Sequence, residues 1–284
     1  MKFRLLLIAL AMAFVCGCSA AHDQNIYREE QTAVTQVQAQ QNKALMLTVF
    51  GTSTEASITF DELLPMVKAR FPGYDIFTPY TSGIIREKLN AEISNPADLK
   101  LSPQEMLVKL KDEGYTEIRV VSTILFPGIE HEKIAGAVSE FATANPDIAI
   151  SYAQPFMSAP ENMQAAVAAL GKYVVHDAAN IVVAHGTHEG HPAEKHYKML
   201  AELITNAYPN ARMASVEGLP DLDEALDWAA KYPARDVNFI VCMFVAGDHA
   251  QNDIASDDDD SMFSAVLKMG KEPSVPFVNT SAGK

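Results

Sequence analysis

Two histidines stand where chemistry is expected. His185 follows the apolar run Ile181-Val182-Val183-Ala184 and precedes Gly186-Thr187, and His249 closes Phe244-Val245-Ala246-Gly247-Asp248. Short, β-branched apolar runs bounded by glycine read as buried strands of a parallel sheet. The residue after such a strand lies at its carboxyl end, where open α/β sheets bind ligands. The two histidines are 64 positions apart in the chain, yet both are predicted on that edge. Imidazoles that share a cleft bind borderline divalent metals and move protons near neutral pH. Glu217 ends the run Met213-Ala214-Ser215-Val216, 32 residues from each histidine. It is a third candidate on the same edge, the alternative being a solvated loop glutamate. A His/Glu/His set with an open position suits a divalent first-row ion in transit, because it lacks the grip of thiolate.

The other candidates are weaker. His188, His191 and His196 crowd the stretch after His185, but their spacing matches no zinc signature and His-Glu-x-x-His is absent. His188 is marginal, and His191 and His196 are expected on a solvated helix start. No Gly-x-Ser-x-Gly elbow, Gly-x-Gly-x-x-Gly turn or Walker lysine occurs. The carboxylate run Asp257 to Asp260 reads as a solvated loop, with a cation-collecting rim as the sharper alternative. Cys242, inside an apolar run, reads as a small buried hydrophobe.

Periodicity supplies the elements that must hold these residues. In the first half, strands are expected over 44–50, 74–79, 118–126 and 148–152. Helices are expected over 57–70, from 84, from 103 to Gly114, and over 132–144. Ser102-Pro103-Gln104-Glu105 has the residues of a capped helix start. In the second half, helices over 161–175, 193–208 and 221–231 alternate with strands over 181–184, 212–216 and 237–245. The stretch after Gly270 shows no helical period. This alternation predicts parallel sheets flanked by helices. It also repeats: Phe50-Gly51-Thr52-Ser53 corresponds to His185-Gly186-Thr187-His188, and Phe126-Pro127-Gly128-Ile129-Glu130 to Val245-Ala246-Gly247-Asp248-His249. The expectation is an α/β protein of two similar domains, 43–158 and 159–284, with a ligand cleft between them. In that alignment Phe50 lies opposite His185 and Glu130 opposite His249.

The chain has 284 residues, 48% hydrophobic and 20% charged, which is enough for a substantial core. Its formal charge of −14 argues against nucleic acid as a partner. Lys2, Arg4 and an apolar stretch from Leu5 to Val15 form a signal segment too short to span a membrane as a helix. Val15-Cys16-Gly17-Cys18 is similar to a lipobox with Cys18 as the lipidated residue, and cleavage near Ser19-Ala20-Ala21 is the alternative. Either predicts export to the periplasm, with membrane attachment only through a lipid on Cys18. Loss of 1–18 removes two positive charges, taking −14 to −16. Residues 19–42, polar and Gln-rich, read as a tether. Cys242 would then be the one cysteine beyond the signal, so no disulfide forms within the mature chain.

The run Gly247-Asp248-His249-Ala250-Gln251-Asn252-Asp253, with Ala184-His185-Gly186-Thr187 and Phe50-Gly51-Thr52-Ser53, resembles the anaerobic cobalt chelatases that act on sirohydrochlorin. These are class II tetrapyrrole chelatases, related in fold to protoporphyrin ferrochelatase. The resemblance covers roughly residues 44–270. It implies two α/β domains with the tetrapyrrole between them, catalytic histidines at His185 and His249, and a metal-binding glutamate at Glu217. Glu130 is a second acidic position facing the cleft. Phe50, Thr52, Ser53 and Gly186, together with Arg86 for the substrate's carboxylates, complete the expected substrate-binding set. The implied reaction inserts Co2+, or alternatively Fe2+, into sirohydrochlorin with loss of two protons. A non-catalytic periplasmic binder of haem or another metallo-tetrapyrrole is the competing reading. The expected partner is a small tetrapyrrole, and self-association into a homo-oligomer is compatible with the sequence.

Overall fold

A computed structural model describes residues 42–276. The expected signal segment, Cys18 and the expected tether up to residue 41 lie outside the described residues. Eight strands form two four-stranded sheets: β1 (Lys43–Thr48), β2 (Asp75–Phe77), β3 (Glu117–Ser122) and β4 (Ala149–Tyr152), then β5 (Ala179–Ala184), β6 (Ala211–Ser215), β7 (Asp236–Val241) and β8 (Glu272–Ser274). The first sheet runs β2-β1-β3-β4 and the second β6-β5-β7-β8, with every pairing parallel. Among the described residues eight α-helices flank them: α1 (Ile58–Arg70), α2 (Gly83–Asn90), α3 (Pro103–Asp112), α4 (Ile129–Ala144), α5 (Pro160–Leu170), α6 (Glu194–Ala207), α7 (Leu222–Lys231) and α8 (Met262–Lys268). This is an α/β fold of two similar domains. No described helix is long and apolar enough to cross a membrane.

The register shows how close the repetition is. Ala44 pairs with Ile118 as Ala179 pairs with Val237, Leu45 with Ile76 as Asn180 with Ala211, and Glu117 with Ala149 as Asp236 with Glu272. The central strands are continuous apolar runs because they are covered on both faces. Ala44 and Met46 enter one core while Leu45, Leu47 and Val49 enter the other. In the second sheet Val182 and Ala184 face one way, Ile181 and Val183 the other, and all four are buried. Burying each such Ile or Val side chain contributes about 1.5–3 kcal/mol.

Local signals behave as their chemistry requires. Ser102 and Glu105 form a reciprocal capping box with Pro103 in the first turn of α3. Two expected strands are shorter than their apolar runs, β3 ending at Ser122 and β7 at Val241. Beyond those points the chain leaves each sheet and crosses to the other half. Phe126 is buried in the second domain's core and stacks on Tyr197, with ring centroids 3.9 Å apart. Phe244 and Val245 pack on the first domain's core beside Val49 and Tyr80. The loops after β3 and β7 are thus exchanged, joining the carboxyl edges of the two sheets. Near the C-terminus, α8 and β8 were not foreseen. Ser261 caps α8, accepting from the Ser264 N–H at 3.0 Å. Pro273 is tolerated in β8 because that strand is an edge.

Phe126→Ala should lower stability by about 3–5 kcal/mol, since it leaves a cavity against Tyr197 at the seam between the domains. A urea-unfolding series checks this, and an unchanged midpoint would show that the seam carries no such load.

Candidate metal centre

The site is assembled from loops leaving β5, β6 and β7. The β5 and β6 exits are stitched together: Val216 N–H donates to the Ala184 carbonyl at 3.0 Å and Glu217 N–H to the His185 carbonyl at 2.9 Å. This approach requires glycine. Gly186 has φ +101°, and a Cβ there would lie 1.8 Å from the Glu217 carbonyl oxygen. Gly218, φ +69°, is its reciprocal, since a Cβ there would lie 2.2 Å from the Thr187 carbonyl oxygen. Tyr197, whose ring stacks on Phe126, has its hydroxyl beside the Gly186 backbone, so the seam adjoins the site.

His249 arrives from the other side of β5. Cys242 N–H donates to the Val183 carbonyl at 2.7 Å, and the chain then passes Gly247 against Thr52 of the first domain. A Cβ on Gly247 would be 3.1 Å from Thr52 Oγ1. A wide π-type turn over Ala250–Ile254 follows. His249 Nδ1 lies 2.6 Å from Asp253 Oδ2. The rings of His185 and His249 meet edge to face with centroids 5.1 Å apart. One ligand atom from each of His185, Glu217 and His249 lies within 4.8 Å of the others, a group able to hold a metal ion. His185 and Glu217 are exposed and His249 half-buried. Among the described residues no thiolate competes, because burial pushes the Cys242 thiol up to about 12.

The first domain repeats this backbone with other side chains. Thr81 N–H donates to the Val49 carbonyl at 2.8 Å and Ser82 N–H to the Phe50 carbonyl at 3.2 Å. Gly51 has φ +100°. Phe50 thus occupies the position of His185, Ser82 that of Glu217, and Glu130 that of His249. Phe50 is 43% exposed, an apolar face rather than a ligand. Glu130 pairs with Lys133 at 2.6 Å, while its buried Oε2 has no hydrogen-bond partner among the described residues. Arg86 reaches Glu105 at 3.4 Å, and its buried Nε is likewise unpartnered. Thr52 is buried and its hydroxyl is engaged, 2.9 Å from Thr54 Oγ1 and accepting from the Thr54 N–H. Those bonds help hold the loop that follows β1. Ser53 is half-buried beside it.

Two expectations need correction. His191 and His196 do not sit on a solvated helix start. His191 Nδ1 accepts from the Ala193 N–H at 3.0 Å, and its Nε2 lies 3.7 Å from Glu132 of the first domain. His196 is half-buried beside the Met157 backbone, and burial lowers its pKa, with Lys195 adding to the shift. The residues after His188 turn back against the first domain, which local periodicity could not indicate. His188 is exposed, as are all four carboxylates from Asp257 to Asp260, and Asp259 pairs with Lys268. Sequence reasoning missed Asp253 as the partner of His249, although the i, i+4 spacing of a helical turn was available as a signal.

Residues 43–279 match the cobalt chelatase (CbiK) family. The chain belongs to that family. It is 31% identical over 227 residues to the sirohydrochlorin cobaltochelatase of Salmonella typhimurium, covering 77% of this chain and 82% of that protein. It is 28% identical over 236 residues to the sirohydrochlorin cobaltochelatase CbiKC of Nitratidesulfovibrio vulgaris, covering 80% of each. SirB from Bacillus subtilis, solved with Fe3+, shares the fold at a TM-score of 0.53 and 15% identity over 82% of this chain and 88% of that one.

Two outcomes follow for this cobalt chelatase family member. Gly186→Ala should cost about 1–3 kcal/mol from backbone strain alone, and should weaken Co2+ binding by pushing Glu217 away from His185. Urea unfolding and a Co2+ titration test it together, and unaltered values of both would refute the close-approach argument. Acid should also weaken the fold. Burial depresses the pKa of His131 and His196 below 6.5. Folding therefore favours their neutral forms, a contribution present above 6.5 and lost as pH falls through the depressed values. The urea midpoint should fall between about pH 7 and pH 5, and His196→Gln should flatten part of that slope.

Proposed function

We propose that the protein is a metallochelatase that inserts Co2+ into sirohydrochlorin, with Fe2+ as the alternative metal. The observation that carries this is the convergence of His185, Glu217 and His249 at the carboxyl edge, where the exchanged loops draw the two domains together. Family membership and the activity named for the Salmonella relative support it.

The reaction exchanges two pyrrole protons for one divalent ion. Two imidazoles and a carboxylate hold Co2+ through three ligands and leave positions for water and for ring nitrogens. As pyrrole nitrogens replace protein ligands, the imidazoles and the carboxylate are freed to accept the departing protons and pass them to water. On the first domain, Phe50 offers an apolar surface for the flat macrocycle. Arg86, with a spare guanidinium N–H, offers a partner for a substrate carboxylate. Export to the periplasm, by lipid attachment at Cys18 or as a soluble protein, is part of the same proposal. The mass of the native protein decides it, a retained Met1 arguing against export.

The test is absorbance during incubation of the purified mature chain with sirohydrochlorin and Co2+ or Fe2+. His185→Ala and His249→Ala should each slow formation of the metallated product by about 10²-fold or more, with the circular dichroism spectrum unchanged. His176→Ala, a fully exposed histidine paired with Asp177, should insert normally. Tetrapyrrole binding without metallated product would return the protein to the non-catalytic binder.

A further inference from the structure

The three candidate ligands are not held alike. Among the described residues no side chain hydrogen-bonds to the His185 ring or the Glu217 carboxylate, whereas His249 Nδ1 meets Asp253 Oδ2 at 2.6 Å. An ionised carboxylate only accepts hydrogen bonds, so the proton of this bond belongs to His249 Nδ1. A neutral imidazole with its proton on Nδ1 has a free lone pair on Nε2, the form a metal requires.

The rest of the turn does not depend on Asp253. Asn252 Nδ2 donates to Asp248 Oδ1 at 2.9 Å, Ser256 Oγ to the Asn252 carbonyl at 2.6 Å, and Ser261 Oγ to the Ser256 carbonyl at 2.7 Å. Ile254 and Ala255 anchor the turn in the second domain's core. The Asp253 side chain is 45% exposed. A polar contact so exposed adds little to stability, so it needs another account.

We propose that Asp253 is a positioning residue, which fixes His249 in the Nδ1–H tautomer with Nε2 turned to the ion, and so makes His249 the fixed ligand and His185 and Glu217 the movable ones. The proposal rests on the reading of these three residues as the metal site. Carboxylates behind ligating imidazoles act in this way generally, and their loss weakens metal affinity by about 10–100-fold.

The experiment is a Co2+ titration of the mature chain, followed by visible absorbance without tetrapyrrole. It is paired with NMR of isotope-labelled histidine ring nitrogens in the metal-free protein. Asp253→Ala and Asp253→Asn should bind Co2+ about 10–100-fold more weakly with unchanged circular dichroism and urea midpoint. Asp253→Glu should restore part of the affinity, and His249 of the unaltered protein should carry its proton on Nδ1. Unchanged affinity in both Asp253→Ala and Asp253→Asn, or a proton on Nε2 in the unaltered protein, would overturn the proposal. The NMR measurement uses the unaltered protein, so it decides even where a variant fails to fold. His249→Ala separates the two levels. If it binds Co2+ as tightly as the unaltered protein, the metal-site reading itself fails. If it loses Co2+ while Asp253→Asn does not, only the role of Asp253 fails.

Discussion

The site depends on one close approach of two backbones. His185 and Glu217 lie on neighbouring strand exits that diverge unless something holds them together. The Glu217 N–H to His185 carbonyl bond does so, and it forms only because Gly186 carries no side chain where the Glu217 carbonyl must pass. Gly218 satisfies the same demand from the opposite strand. Both glycines also have φ in the left-handed region, which a side chain disfavours. Steric exclusion at two Cβ positions thus places a carboxylate beside an imidazole with no hydrogen bond between the two side chains. The third ligand needs the other domain as well, because the loop that delivers His249 runs against Thr52 and packs Phe244 and Val245 on the first core.

The duplication explains why the cleft is asymmetric. Register and strand-exit hydrogen bonds repeat pair by pair, so the two edges present the same three backbone positions. One edge fills them with His185, Glu217 and His249, and the other with Phe50, Ser82 and Glu130. Ser82 is spent on capping α2, where its Oγ accepts from the Ile85 N–H at 3.3 Å. A flat macrocycle between two such edges would meet ligands for an ion on one face and an apolar ring with a carboxylate on the other. In the proposed reaction that difference gives insertion a direction, since the ion is presented from one face only.

Most of this was legible in the sequence, for identifiable reasons. Parallel strands buried on both faces leave unbroken apolar runs, so both sheets and the strand-exit histidines could be read from composition and glycine punctuation. Glu217 was found because it ends such a run. What was missed depends on tertiary partners. Asn180 extends β5 toward its amino end although it is polar. Its amide is satisfied by the Val175 and Ala178 carbonyls and accepts from Asn238 Nδ2. β8 is three residues long and contains a proline, and only pairing with β7 makes it a strand. The first domain's contacts with His191 likewise come from the seam, which no window of sequence contains. The Thr52 hydroxyl also takes part in the loop, beside Thr54 and against Gly247, which the sequence does not indicate.

The uneven support of the three ligands bears on what kind of metal site this is. A resident metal is normally held by ligands that are themselves hydrogen-bonded, because every fixed orientation adds to affinity. Here one imidazole is braced by a carboxylate, while another imidazole and a carboxylate stand exposed without side-chain hydrogen bonds among the described residues. In the proposed reaction such a site would capture an ion through its braced ligand and complete coordination with groups that lose little when they let go. Tight, fully braced ligation would deepen the bound state and slow transfer to the ring, because an interaction equally strong before and at the transition state does not speed the step. The lack of thiolate acts in the same sense, as Cys242 is buried in the strand core with its thiol protonated at neutral pH. Incomplete support at His185 and Glu217 therefore fits the proposed transfer of a substrate metal better than it fits a permanent metal site.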